Sequence, residues 1–207
     1  EESGIYWHEY GVQVLRRANL DGTGVVDFIT NIYNVWYMAS DATDLYVGAI
    51  NDGIYKVAKN STPPLDGNAL PYFYDIPGDG PAALSLDATN VYFSTGDPSG
   101  TFPVTNAGIL RMAKDKSSQN NIASSTTLVY DIVSSGGFAY WVEEGTLQQD
   151  FTDGAVRRIQ LNNPGAQIQT YAQNQRHPVS VAVDGDWLYW LNAGWTNLPG
   201  SVVRVKL

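Results

Sequence analysis

A histidine–carboxylate pair, a carboxylate pair and a second histidine are residues of this chain whose types suit acid–base or metal chemistry. His8-Glu9 and Glu143-Glu144 offer nitrogen and oxygen ligands of the kind a divalent cation takes, and His177, directly before Pro178, is the residue type that exchanges a proton near neutral pH. Asp150 and Asp153, in the run Asp-Phe-Thr-Asp-Gly, have calcium-like spacing, but the segment lacks the remaining ligands of a calcium loop. No GxSxG elbow is present, and without cysteine there is neither a disulfide nor a thiolate metal site. A second chemistry is aromatic contact. Tyr10, Phe102, Phe151 and Trp195 each stand among polar residues and glycine, where a ring suits stacking on a sugar or anchoring a protein partner. The alternative for each is a local plug folded beneath its own loop.

The elements that must position these groups come from a repeat. A tyrosine after an aliphatic or small residue stands at Tyr6, Tyr46, Tyr92, Tyr140 and Tyr189, spaced 40, 46, 48 and 49 residues apart, which is the length of a supersecondary unit. After each tyrosine comes a basic residue between apolar ones: Arg17, Lys56, Arg111, Arg158 and Arg204. An aspartate stands five residues before three of the tyrosines, as Asp41, Asp87 and Asp184, and Ser135 takes that place in the fourth repeat.

Each repeat reads as short β-branched and aromatic strands separated by turn residues, and nowhere do apolar residues keep helical spacing long enough for a helix. Four antiparallel strands at this period predict an all-β chain, a β-propeller of about five four-stranded blades in a single domain over 1–207. The repeats fall at about 1–33, 34–79, 80–126, 127–176 and 177–207. The first blade lacks its first strand and the last its fourth, so either five blades close with trimmed ends, or the chain is part of a larger ring, or open blade edges pair with another chain. The strands are apolar on both faces because blades bury both faces against their neighbours. A basic residue repeated once per blade is expected to be structural, its stem along the next blade and its head on an acid or in solvent.

Bulk properties exclude whole classes of function. The 207 residues carry 12 basic and 21 acidic side chains, a net charge of −9 with no basic run, which is the wrong balance for a nucleic-acid partner. No apolar run is long enough to span a bilayer. The chain opens Glu1-Glu2-Ser3 with neither methionine nor an apolar leader, which reads as a processed mature protein or an excised segment. Few lysines beside abundant Tyr, Asn, Ser, Thr and Gly suggest a secreted or envelope protein, and Asn60-Ser61-Thr62 fits a glycosylation sequon.

The chain resembles the YWTD propellers, the class B repeats of low-density-lipoprotein receptors. Tyr6-Trp7 followed by Leu15-Arg16-Arg17-Ala18-Asn19-Leu20-Asp21-Gly22-Thr23 carries the resemblance, with AALSLDATNVYF and VSVAVDGDWLYW in the third and fifth repeats. The four name positions read YWHE, YVGA, YFST, YWVE and YWLN, so the final aspartate is absent and its interblade bonding must be replaced or missing.

From tyrosine to basic anchor the separations are 11, 10, 19, 18 and 15 residues, so three repeats carry insertions in one loop of one face. Such insertions often mark a binding face. The expected function is a non-catalytic secreted or envelope module that binds a protein or glycan through Tyr10, Phe102, Phe151 and Trp195, with His177 nearby. No cofactor is expected. Two alternatives stand beside it: a metal-dependent hydrolase or lactonase, and a segment that assembles through open blade edges. A lactonase would place metal ligands at the innermost strands, which here begin with Trp36, Ala82, Leu128 and Val179. The loops before those strands offer Asn34, Asp79, Thr127 and His177, too scattered to form a site. His8-Glu9 and Glu143-Glu144 are expected to be solvated strand ends.

Overall fold

The computed structural model describes every residue except 1–3, 51, 77–79, 97–106, 126, 164 and 195–198. The chain divides into two compact units, Glu1–Pro81 and Ala82–Leu207. Among the described residues there is no α-helix, only two short 3₁₀ turns at Gly67–Ala69 and Leu147–Gln149, and no helix is long and apolar enough to cross a membrane.

The fold is a β-propeller of five sheets. In the first unit, β1 (Ile5–Glu9), β2 (Val14–Ala18) and β3 (Val26–Thr30) form blade one, and β4 (Val35–Ser40), β5 (Asp44–Ala49) and β6 (Gly53–Ala58) begin blade two. Two further strands follow, β7 (Leu65–Asp66) and β8 (Tyr72–Asp75). The second closes blade two against β6, while β7 turns back and pairs in parallel with β3, Ile29 opposite Leu65 and Thr30 opposite Asp66. Blade one therefore lacks its innermost strand yet gains a fourth at its outer edge, from a stretch whose polar, proline-bearing sequence reads as plain connection.

The second unit holds blades three to five. Blade three is β9 (Leu84–Leu86), β10 (Asn90–Thr95), β11 (Gly108–Ala113) and β12 (Gln119–Ser124); blade four is β13 (Val129–Ser135), β14 (Phe138–Glu143), β15 (Gly154–Gln160) and β16 (Gln169–Gln175). Blade five has three strands, β17 (Pro178–Asp184), β18 (Trp187–Asn192) and β19 (Ser201–Lys206).

Burial falls from the middle of each blade outward. Every residue of β14 after Phe138 is buried, whereas β12 and β16, rich in Gln and Asn, are mostly exposed. The apolar faces meet between blades. Leu15, Phe28 and Ile29 pack on Val35, Val47 and Tyr55 in the first unit; in the second, Tyr92 and Ile109 pack on Ile132 and Trp141, and Tyr140 and Val156 on Val181 and Trp190.

The repeated polar residues explain themselves locally. Asp87 Oδ1 accepts from the Thr89 and Asn90 amides, which closes the hairpin from β9 to β10, and its Oδ2 accepts from the Tyr92 hydroxyl at 2.5 Å. Asp41 closes the corresponding hairpin before Tyr46 through the Thr43 and Asp44 amides. The basic anchors depart from expectation in one respect. Arg17 and Arg111, both half-buried, each donate to a backbone carbonyl of the next blade, Lys59 at 2.7 Å and Leu161 at 3.0 Å. Among the described residues Lys56 is the anchor that pairs with an acid, Asp44, at 3.4 Å. Arg158 and Arg204 lie over the rings of Phe138 and Trp187.

Candidate functional site

At one end of the first unit, the turn from β1 to β2, the crossing from β3 to β4 and the turn from β5 to β6 are tied together. The Ile32 amide donates to the Gln13 carbonyl and the Ile50 amide to the Asn34 carbonyl, at 3.1 and 3.0 Å. Asn31 Nδ2 donates to Asp66 at 3.1 Å and brings in the segment after β7. Gly67 is required there, because a Cβ would stand 2.6 Å from the Asn31 carbonyl oxygen.

The crossing needs left-handed backbone at Asn31 and Asn34, with φ of 53° and 49°, a conformation that asparagine tolerates better than most residues. The same spacing recurs at Asn174 and His177, with φ of 54° and 50°, just before β17. In both places the carbonyl of the second residue accepts an amide sixteen positions on, from Ile50 and from Ala193. His177 is thus the structural counterpart of Asn34, fixed by a turn that the entries to blades two and five share.

This end presents large rings to solvent: Tyr10 is 75% exposed, Trp36 53%, Tyr33 46% and Tyr72 40%. Trp36 owes its position to a break in register, since Val35 pairs with Ala49 but Tyr37 with Gly48, so Trp36 has no partner of its own. A bulge of this kind re-aims a side chain out of the sheet. Register breaks fall at the matching residue of β13, Tyr130, and of β17, Val179. Beside the rings, the Tyr55 and Tyr72 hydroxyls both donate to Asp52, and the two rings stack with centroids 5.0 Å apart.

Of the rings singled out from sequence, Tyr10 stands on this face, while Phe102 and Trp195 lie outside the described residues. Phe151 is a correction. It is 5% exposed and stacks on His177 with ring centroids 5.1 Å apart, so its face is spent inside the second unit. His177 is corrected with it: Phe151 covers one side of the imidazole, Tyr130 meets it edge-on at 5.5 Å, and Glu144 faces its Nε2 at 3.6 Å. The imidazole therefore sits in a packed cluster of Phe151, Tyr130 and Glu144. The exposed rings of Tyr33, Trp36 and Tyr72 sit at strand ends and blade entries, not in the inserted loops that the sequence points to. Counted back from the anchor tyrosine, the position of Trp36 holds Ala82, Tyr130 and Val179 in other repeats, so with Trp36 an aromatic ring stands there in two repeats.

One of the two acidic pairs differs from expectation. Glu143 and Glu144 are buried, not solvated. Glu143 accepts from Trp141 Nε1 at 3.0 Å and from Arg157 Nε at 2.8 Å, which satisfies a charge that burial would otherwise penalise. Burial, and then the nearby Glu144 charge, push the Tyr130 hydroxyl above its ordinary pKa. Glu9 forms a two-pronged pair with Arg16. Asp153 spends its oxygens on the Thr146 amide and hydroxyl, at 2.6 and 2.8 Å, and so closes its own loop. Among the described residues no three His, Asp or Glu side chains converge as a metal would need.

No protein-family model matches the sequence, and none of the curated proteins matches it. Solved structures do share the fold. A β-propeller chain of a nidogen/laminin complex superposes with a TM-score of 0.72 at 18% identity, over 99% of this chain and 72% of that one. Hydrazine synthase of Kuenenia stuttgartiensis follows with 0.66 at 12% identity, over 91% and 58%. An oligogalacturonate lyase in complex with manganese gives 0.63 at 10% identity, over 93% and 56%. At such identities the likeness is one of fold, and the chain spans less than two thirds of the latter two.

Proposed function

We propose that this chain is a YWTD-like propeller module of the extracellular space or cell envelope that docks a protein partner on the aromatic end of its first unit. The exposed set Tyr10, Tyr33, Trp36 and Tyr72 carries the reading. Large amphipathic rings on loops held by backbone hydrogen bonds are what a docking surface needs, since they bury area at low cost in side-chain entropy. The interblade bonds of Arg17 and Arg111 to main-chain carbonyls support the YWTD-like part, as they supply cross-blade bonding where the motif's aspartate is absent. The nidogen/laminin complex is a precedent for a protein of similar fold seen with a protein partner.

The test is a panel of extracellular-matrix and cell-surface proteins, with a glycan array beside it, probed with the wild-type chain and a Tyr10→Ser/Trp36→Ser variant. The expected result is saturable binding to a protein that the variant loses at least about tenfold, a change of about 1.4 kcal/mol, while its thermal melt stays unchanged. Binding confined to glycans would replace the protein partner with a sugar. Protein binding indifferent to the two substitutions would place the docking surface elsewhere.

A further inference from the structure

A pocket of about 230 Å³ opens on the same end of the first unit, lined among others by Asn31, Tyr33, Asp52, Tyr55, Asn68 and Tyr72. Its hydrogen-bonding capacity is lopsided. The Tyr55 and Tyr72 hydroxyls are both committed as donors to Asp52, Asn31 turns an amide N–H to Asp66, and the Asn68 backbone N–H goes to the same carboxylate. What these groups leave on offer is mainly acceptors, the Asp52 carboxylate and the Asn31 side-chain carbonyl. No Lys, Arg or His is among the described residues that line it. Burial, and then the bond to Asp52, raise the Tyr55 hydroxyl, and the bond to Asp52 raises that of Tyr72, so both stay protonated and the carboxylate keeps its charge-assisted donors.

We propose that this pocket takes an arginine side chain of the docked protein, its guanidinium on Asp52 and its plane along the tyrosine rings. Three observations carry the choice of occupant. A flat cation matches stacked rings at 5.0 Å with a carboxylate at their hydroxyl end, combining an ion pair with cation–π contact. The volume suits one long side chain, not a domain. The chain's net charge of −9 favours a basic partner surface. The walls are fixed in advance, by the β7 pairing on one side and the Asn31–Asp66 bond on the other. The inference rests on the docking reading above, but its test needs no partner.

The probes are Nα-acetyl-arginine methylamide and its neutral isostere Nα-acetyl-citrulline methylamide, titrated into the intact chain and followed by the tyrosine-ring NMR signals. Saturable shifts at Tyr33 and Tyr72 with the arginine probe are expected, at least about tenfold weaker with citrulline and with Asp52→Asn. Equal responses to the two probes, or no saturable response, would overturn the proposal. Should Asp52→Asn disturb the loops, seen as a lowered melt, the arginine–citrulline contrast on the wild-type chain decides alone. Arginine binding in a chain that recognises no protein would leave the pocket standing and remove the docking reading; the reverse result would do the opposite.

Discussion

Arg17 Nη1 donates to the Lys59 carbonyl at 2.7 Å, and so holds the third-strand position of blade one to the end of the third strand of blade two. Arg111 repeats the bond between blades three and four, to Leu161 at 3.0 Å. A charged donor on a partly buried carbonyl is worth about 1.5–3 kcal/mol. Arg17→Met and Arg111→Met keep the apolar stem and remove the donor, and each is expected to lower unfolding free energy by about 1–3 kcal/mol in urea titrations. Arg204→Met, which loses a ring contact with Trp187, is expected to cost about 0.5–1 kcal/mol. Equal losses at all three positions would mean that the carbonyl bonds add nothing.

The Asp87 carboxyl makes stability depend on acid. Burial alone would raise its pKa, but donation from the Tyr92 hydroxyl and the Thr89 and Asn90 amides outweighs burial and holds it below the ordinary carboxylate value. A depressed folded-state pKa stabilises above the unfolded value of about 3.9 and loses that contribution as pH falls through the lower folded value. The melting-temperature advantage of wild type over Asp87→Asn is therefore expected to be full at pH 6 to 7 and to shrink steadily below about pH 4. An advantage constant down to about pH 2 would contradict the assignment.

Phe151 and Trp195 are expected to part company. Phe151 is buried against His177, so Phe151→Ala should cost about 3 kcal/mol or more of stability. Trp195, in the shorter insertion of blade five, is expected from sequence to be displayed on its loop and not folded beneath it, so Trp195→Ala should leave the melt in place. A melt that collapses in both variants would make Trp195 a second plug.

Gly67 sets how closely the segment after β7 approaches blade one, with the Asn31 and Thr30 carbonyl oxygens 2.6 and 2.9 Å from where a Cβ would stand. Gly67→Ala is expected to destabilise by about 1–3 kcal/mol and to weaken the arginine probe, because the pocket wall must move. Gly11→Ala has open space around it and should stay within about 0.5 kcal/mol of wild type. Denaturant titration of the pair checks the contrast.

Much of the architecture was legible because propeller blades repeat their constraints. The middle strands of blades four and five, Phe138–Glu143 and Trp187–Asn192, follow residue for residue from the tyrosine anchor, since each is a continuous apolar run between turn residues, although only the first is buried on both faces. Strand β7 was not legible: Leu65 and Asp66 pair in parallel with a strand 36 residues earlier, and two residues set no period. The buried carboxylates escaped for a related reason. Glu143 finds Arg157 across the sheet and Glu144 finds His177 from the next blade, and no local pattern announces either partner. Trp36 was visible as an aromatic ring at a strand start, but its exposure depends on the register break, a property of pairing and not of composition. The Asn31/Asn34 and Asn174/His177 spacing was readable throughout, and its meaning appears only when all four φ values are positive.

Hydrogen–deuterium exchange of the chain, free and saturated with its bound protein partner, addresses the central claim most directly. The account predicts new protection at residues 10–13, 31–36 and 66–72, the loops that carry Tyr10, Tyr33, Trp36 and Tyr72. Protection confined to Ala82–Leu207 would contradict it and assign partner binding to the second unit.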